Sequence, residues 1–285
     1  MKKSILLLAA FAFVFSACDS TVNDDEDGMA MVSFDLDAMV GSTPLSTDAA
    51  TVYTMDGTSF TMEVARMYIS NVELLKADGT TVTFSGESLT LPARDNGTDV
   101  THTVDDKIVL ARHDAGESEY MLGEAPAGDY TGIRFNVGVT GLDNHIDVAQ
   151  VPASHPLAKQ TDVNNHWSWN PGFIFLRMDG EVDTNGDGTL DAPWEMHLGT
   201  GAYLTPIEVN QNFTLEADHE ADLHFMIHYG MFLDGIDLKD ADQRNTHVFD
   251  FPEVAQKLGA NLAQGIMLHG VHMSDGHDHD HDHGN

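Results

Sequence analysis

The chain has 285 residues, with 13 Lys plus Arg against 46 Asp plus Glu and a formal charge of −33. This excludes a nucleic-acid reader that works through a basic surface, because phosphate contacts need clustered Lys and Arg. It is not a disordered acidic tail either, since 42% hydrophobic and 8% aromatic residues are enough for a large core. The length fits one large domain or two small ones. The single cysteine permits no intramolecular disulfide. Gly (25) outnumbers Pro (9), which favours turns between strands over long helices. The acidic residues are spread along the chain and read as a strongly hydrated surface.

Lys2 and Lys3 precede a short apolar run, Ile5 to Phe15, and residues 1–17 read as a secretory signal. The run is too short for a transmembrane span. It ends Phe15-Ser16-Ala17-Cys18, and small residues before a lone cysteine resemble a bacterial lipobox. Cys18 is the expected lipidation site, and residues 18–29 form an acidic tether. The expected location is the bacterial cell envelope, lipid-anchored, periplasmic or surface-exposed.

Val32, Phe34 and Leu36 alternate with polar residues, as does Tyr68 to Leu74, and both predict strands. Asp78-Gly79 separates the second strand from Thr81 to Phe84, a hairpin signal. Glu124 to Tyr130 reads as a turn that leads into a strand over 130–139. Further strands are expected at 173–178, 194–198, 203–209, 213–217 and 223–227. Residues 229–238 suit a short helix or turn. Val254, Leu258, Leu262 and Ile266 are spaced by four behind Pro252, which predicts a helix with Asp250 as its cap. The fold class is therefore mainly β: an antiparallel β-sandwich over residues 30–272, with a C-terminal helix and a His-rich tail at 273–285.

Several clusters could carry chemistry. The tail alternates His277, His279, His281 and His283 with Asp after His269, His272 and Met273. Imidazoles bind copper and zinc, and such a tail suits an exchangeable collector more than a rigid centre. In His224-Phe225-Met226-Ile227-His228 the two histidines are about 13 Å apart on a strand. They need partners from elsewhere in order to chelate. Asp183, Asn185, Asp187 and Asp191 with Gly188 resemble the start of a calcium loop, but the closing Glu is displaced by one to Glu195. A calcium-stiffened loop and a plain Asp/Gly turn both stand as readings. His166-Trp167-Ser168-Trp169-Asn170-Pro171-Gly172 holds two of the three tryptophans, which share a face on an extended chain. No phosphate loop, nucleophile elbow, HExxH or CxxCH occurs, so no enzyme is expected.

At Trp167 to Gly180 the sequence resembles the MbnP-like family of periplasmic and surface copper-binding proteins. The resemblance extends to Phe60–Val72, Pro126–Val139, Met196-His197-Leu198-Gly199 and Leu268–His272. It implies a β-rich copper-binding domain serving copper uptake, storage or delivery. It also implies oxidation of a tryptophan to kynurenine by a partner dihaem enzyme related to cytochrome c peroxidases. Carried over, Trp167 or Trp169 is the residue oxidised and His197 a copper ligand, with His166, His269 and His272 open as the second. Asp37-Ala38-Met39 stands where many relatives carry a histidine. Two other classes stay open: a calcium-stiffened adhesion or ligand-binding sandwich, and a zinc-scavenging lipoprotein that uses its tail.

Overall fold

Alternation along two strands sets the architecture. Val32, Phe34 and Leu36 are buried on Met29–Val40, and Ala221, Leu223, Phe225 and Ile227 on His219–His228. Period two sends Asp35, Asp37, His224 and Met226 to the opposite face. The structure, a computed structural model, describes residues 28–168, 170–247 and 251–275. The signal segment, Cys18, Trp169, Asp250 and the tail histidines His277, His279, His281 and His283 lie outside the described residues.

The smaller sheet runs in the order Glu119–Pro126, Met29–Val40, His219–His228, Ile266–Asp275. The larger sheet runs Thr205–Val209, Gly132–Val137, Val64–Leu75, Gly172–Val182, Ala192–Gly199, Asn245–His247. Their apolar faces stack into one core, in which Phe34, Phe135 and Phe225 meet edge to face. Most pairings are antiparallel, as expected of this sandwich. Two are parallel: Met29–Val40 beside His219–His228, and Ala192–Gly199 beside Asn245–His247. Strand alternation is blind to direction, so these pairings leave no trace in the hydrophobic pattern.

Trp194 is fully buried in this core, and its indole N–H donates to the Thr61 carbonyl at 2.9 Å. The helix Pro252–Gly265 buries Val254, Ala255, Leu258 and Leu262 on one stripe, with Pro in its first turn. Tyr229–Phe232 forms a single helical turn. A second core lies on the outer face of the larger sheet. There the hairpin Ser85–Asp95 and Thr98–Asp106 lays Leu91, Ala93 and Val104 near Tyr68, Phe173 and Phe175. Gly138, at φ 129°, leaves room for Phe175, whose ring would lie 2.5 Å from a Cβ there.

Arg66 projects from the same outer face and is 1% exposed. Its Nε donates to both Asp114 oxygens at 2.8 Å, and its Nη2 donates to Asp162 at 2.6 Å. Nη1 reaches the Val163 carbonyl at 3.2 Å. One buried cation thereby ties the turn at 113–116 and the segment at 162–163 to the middle of the sheet. Removing Arg66 leaves the Asp114 carboxylate buried without its partner, a loss of about 3–5 kcal/mol. Arg66→Ala should lower the unfolding free energy in urea by that order. The Arg66 guanidinium also holds the Asp162 carboxyl well below the usual carboxylate range. That stabilisation is present above pH ~4 and is lost as pH falls through the lowered value. The acid slope of stability should therefore flatten in Arg66→Ala.

Candidate metal centre

Cross-strand register places five basic side chains in one row across the larger sheet. Arg112 pairs with Arg66, Arg66 with Arg177, Arg177 with His197, and His197 with His247. Like charges directly opposite one another destabilise a sheet. Carboxylates interleave the row: Asp162 bonds Arg112 and Arg66, Asp179 bonds Arg177 and His197, and Glu195 bonds His247.

The His197 end of the row has the chemistry of a metal site. On Ala192–Gly199, Trp194, Met196 and Leu198 enter the core, so Glu195 and His197 take the outer face. His197 Nε2 lies 2.6 Å from Asp179 Oδ1, and Arg177 Nε donates to Asp179 Oδ2 at 2.7 Å. Burial works against ionisation of Asp179, but the His197 hydrogen bond and the Arg177 charge outweigh it and hold its pKa low. The carboxylate accepts only, so a proton sits on His197 Nε2, and in the neutral imidazole Nδ1 carries the lone pair. That Nδ1 is buried with no hydrogen-bond partner. A carboxylate that fixes the tautomer of a histidine in this way is the usual outer support of a metal ligand.

Glu195, His197 and His247 each offer a ligand atom, all within 4.8 Å of one another. The His197 and His247 rings meet edge to face, 4.7 Å between centroids. His197 is buried, whereas Glu195 and His247 are open to solvent, so the cluster has a closed side and an accessible side. Among the described residues this is the group of three or more metal-ligating side chains assembled this tightly.

Trp167 lies beside it. Gly199 follows His197 by two residues on the same strand, and a Cβ there would sit 2.6 Å from Trp167 Cζ3. The glycine is what lets the indole lie against the strand. Trp167 itself stands on the short strand His166–Ser168, which pairs with Gly172–Val182.

These observations match what sequence comparison finds. The profile of the MbnP family matches residues 29–249. The chain belongs to the MbnP family. Among solved structures it is similar to MbnP from Methylosinus trichosporium. That match has 15% identity and a TM-score of 0.40, and covers 69% of this chain and 76% of that one. A search of curated proteins finds no match.

Of the sequence-predicted residues, His197 and Trp167 fall at this centre. His166 instead packs its ring on Phe173 at 4.9 Å, and burial pushes its pKa down. His269 and His272 lie on the smaller sheet beside His224. The Asp183 to Asp191 loop closes on itself. Asp183 accepts from the Gly186 and Gly188 amides, and Asp191 accepts from Thr184 and Asn185. His247 was not singled out by sequence, and Glu195 only as the displaced closing Glu of the calcium-like loop. A three-residue strand gives no periodicity to read, although His197 facing His247 follows at once from the parallel register.

Gly199→Ala should drive Trp167 off the strand and cost about 1–3 kcal/mol of stability. Acrylamide quenching of tryptophan fluorescence should rise in this variant, because the indole is pushed towards water.

Proposed function

We propose that this protein is a non-enzymatic copper-binding protein of the bacterial cell envelope. It is anchored through a lipid on Cys18 and serves copper uptake, storage or delivery. The observation that carries the reading is the grouping of His197, His247 and Glu195, with ligand atoms within 4.8 Å of one another, in which His197 has a buried, unpartnered Nδ1 and an Nε2 held by Asp179. Two imidazoles and one carboxylate suit copper, and membership of the MbnP family supports that ion over others. Bound copper is cargo here. The chain's own residues orient the donors, bury one side of the site and leave the other open for exchange.

Trp167 is the tryptophan we assign to oxidation by a partner dihaem enzyme. Its support is position: the indole packs two residues from His197 on the same strand face, and it is half-buried rather than sealed in the core. Trp194, in contrast, is fully buried with its N–H engaged.

The test uses full-length protein in which the four tail histidines, His277, His279, His281 and His283, and His224 of the smaller sheet are changed to Asn. About one copper per chain of sub-micromolar affinity is expected at the His197 centre, and it should disappear in His197→Ala. Asp179→Asn should keep the ligands but weaken binding by about 10–100-fold, because the imidazole loses its orienting partner. Copper binding unchanged in both variants would reject the centre. Intact mass of protein from its native host reads the tryptophan: a mass shift for kynurenine that maps to Trp167 supports the assignment, and an unmodified Trp167 removes it.

A further inference from the structure

The smaller sheet carries a histidine cluster of its own on its outward face. His224 projects there from His219–His228, between Asp35 and Asp37 on one neighbouring strand and Ile266–Asp275 on the other. On a regular strand His269 and His272, three apart, would point to opposite faces. His224 pairs with Gly270 and the next residue, Phe225, with Leu268, so His269 is the extra residue of a bulge in the C-terminal strand. It turns both histidines outward, where both are exposed. The His224 ring then lies 5.3 Å from that of His269 and 5.7 Å from that of His272, between centroids. Two imidazoles on one tetrahedral ion, at Zn–N of about 2.0–2.1 Å, have centroids on the order of 5 Å apart. His224 Nε2 is 3.0 Å from Asp37 Oδ2 and 4.0 Å from Asp35 Oδ2.

The surroundings favour a cation. Asp35 pairs in register with His224 on one side and Glu119 on the other, Asp37 stands two residues along on the same face, and Asp222 pairs with His272. Four carboxylates thus crowd one patch whose nearest basic groups are imidazoles. A bound divalent ion relieves that repulsion.

We propose that His224, His269, His272 and Asp37 form a second metal site, separate from the His197 centre, for a late first-row divalent ion of the zinc(II) and copper(II) class. Three nitrogen donors, one oxygen donor and no thiolate define that class. The four donor atoms do not all lie within 4.8 Å of one another as the structure stands, so binding requires the exposed rings of His269 and His272 to rotate towards the ion. Two of the three histidines, His269 and His272, lie on the C-terminal strand, beyond residues 29–249.

The test uses full-length protein with the four tail histidines changed to Asn and His197→Ala added, which removes the first centre from the readout. Zinc(II) and copper(II) are titrated separately by calorimetry, and the copper form is examined by electron paramagnetic resonance. One ion per chain is expected, with nitrogen couplings from imidazole ligands in the copper spectrum. His272→Asn, at an exposed position that leaves folding intact, should weaken binding at least about 10–100-fold. His224→Ala should abolish it. No saturable binding of either ion, or binding unaffected by His272→Asn and His224→Ala, overturns the proposal. Binding of one ion but not the other supports the site and identifies its metal. Failure of the His197 centre would leave this measurement unchanged.

Discussion

The basic row across the larger sheet is the constraint from which the site follows. The chain has few cations, and three of its arginines stand in adjacent cross-strand positions that continue into His197 and His247. Such a row survives only if carboxylates are threaded through it. The carboxylates come from different parts of the chain: Asp114 from a turn, Asp162 from a long connection, and Asp179 and Glu195 from the strands themselves. Charge balance therefore also acts as tertiary structure. Asp162 and Val163 are fastened to Arg66, and the chain leaves that anchor only three residues before His166. The short strand that bears Trp167 is set down beside Gly199 from a fixed starting point.

Asp179 is where the structural row becomes a site. It is shared between Arg177 and His197, and each partner constrains the other. The His197 hydrogen bond and the Arg177 charge hold the carboxylate ionised against burial, and an ionised carboxylate can only accept. The proton is thereby placed on Nε2 and the lone pair on Nδ1, the buried nitrogen left without a partner. An unpaired buried nitrogen costs free energy in the folded chain. A metal ion or a water molecule at that nitrogen would recover the cost.

The alternation of buried and exposed residues was legible. Val32, Phe34 and Leu36, and Leu223, Phe225 and Ile227, enter the core as their spacing requires, and the helix buries Val254, Leu258 and Leu262 of the four-spaced stripe, whereas Ile266 opens the following strand. The hairpin at Asp78-Gly79 also forms, with Gly79 at φ 85°. Strand direction was not legible, nor was the hairpin over residues 85–106, whose exposed Thr and Asp positions dilute the pattern. His197 could be reached from its motif. Its neighbours could not, because His247 comes from a distant strand and Glu195 is one acidic residue among many. The grouping of His224 with His269 and His272 depends on a one-residue bulge, and spacing taken alone gives the wrong face.

Both clusters lie on outward faces because the inward faces are committed to the apolar core. A sandwich of this kind has no room for an unpaired imidazole between its sheets. On the outside, the net charge of −33 gives the histidines a negative field that water and salt screen over about 8–10 Å. Such a field concentrates cations at the surface without selecting among them. Selection then rests on the donors: two imidazoles with one carboxylate at the buried end of the row, three imidazoles with one carboxylate on the opposite sheet. The acidic surface and the histidine clusters are thus complementary, one raising the local concentration of any cation and the other retaining the few that prefer nitrogen.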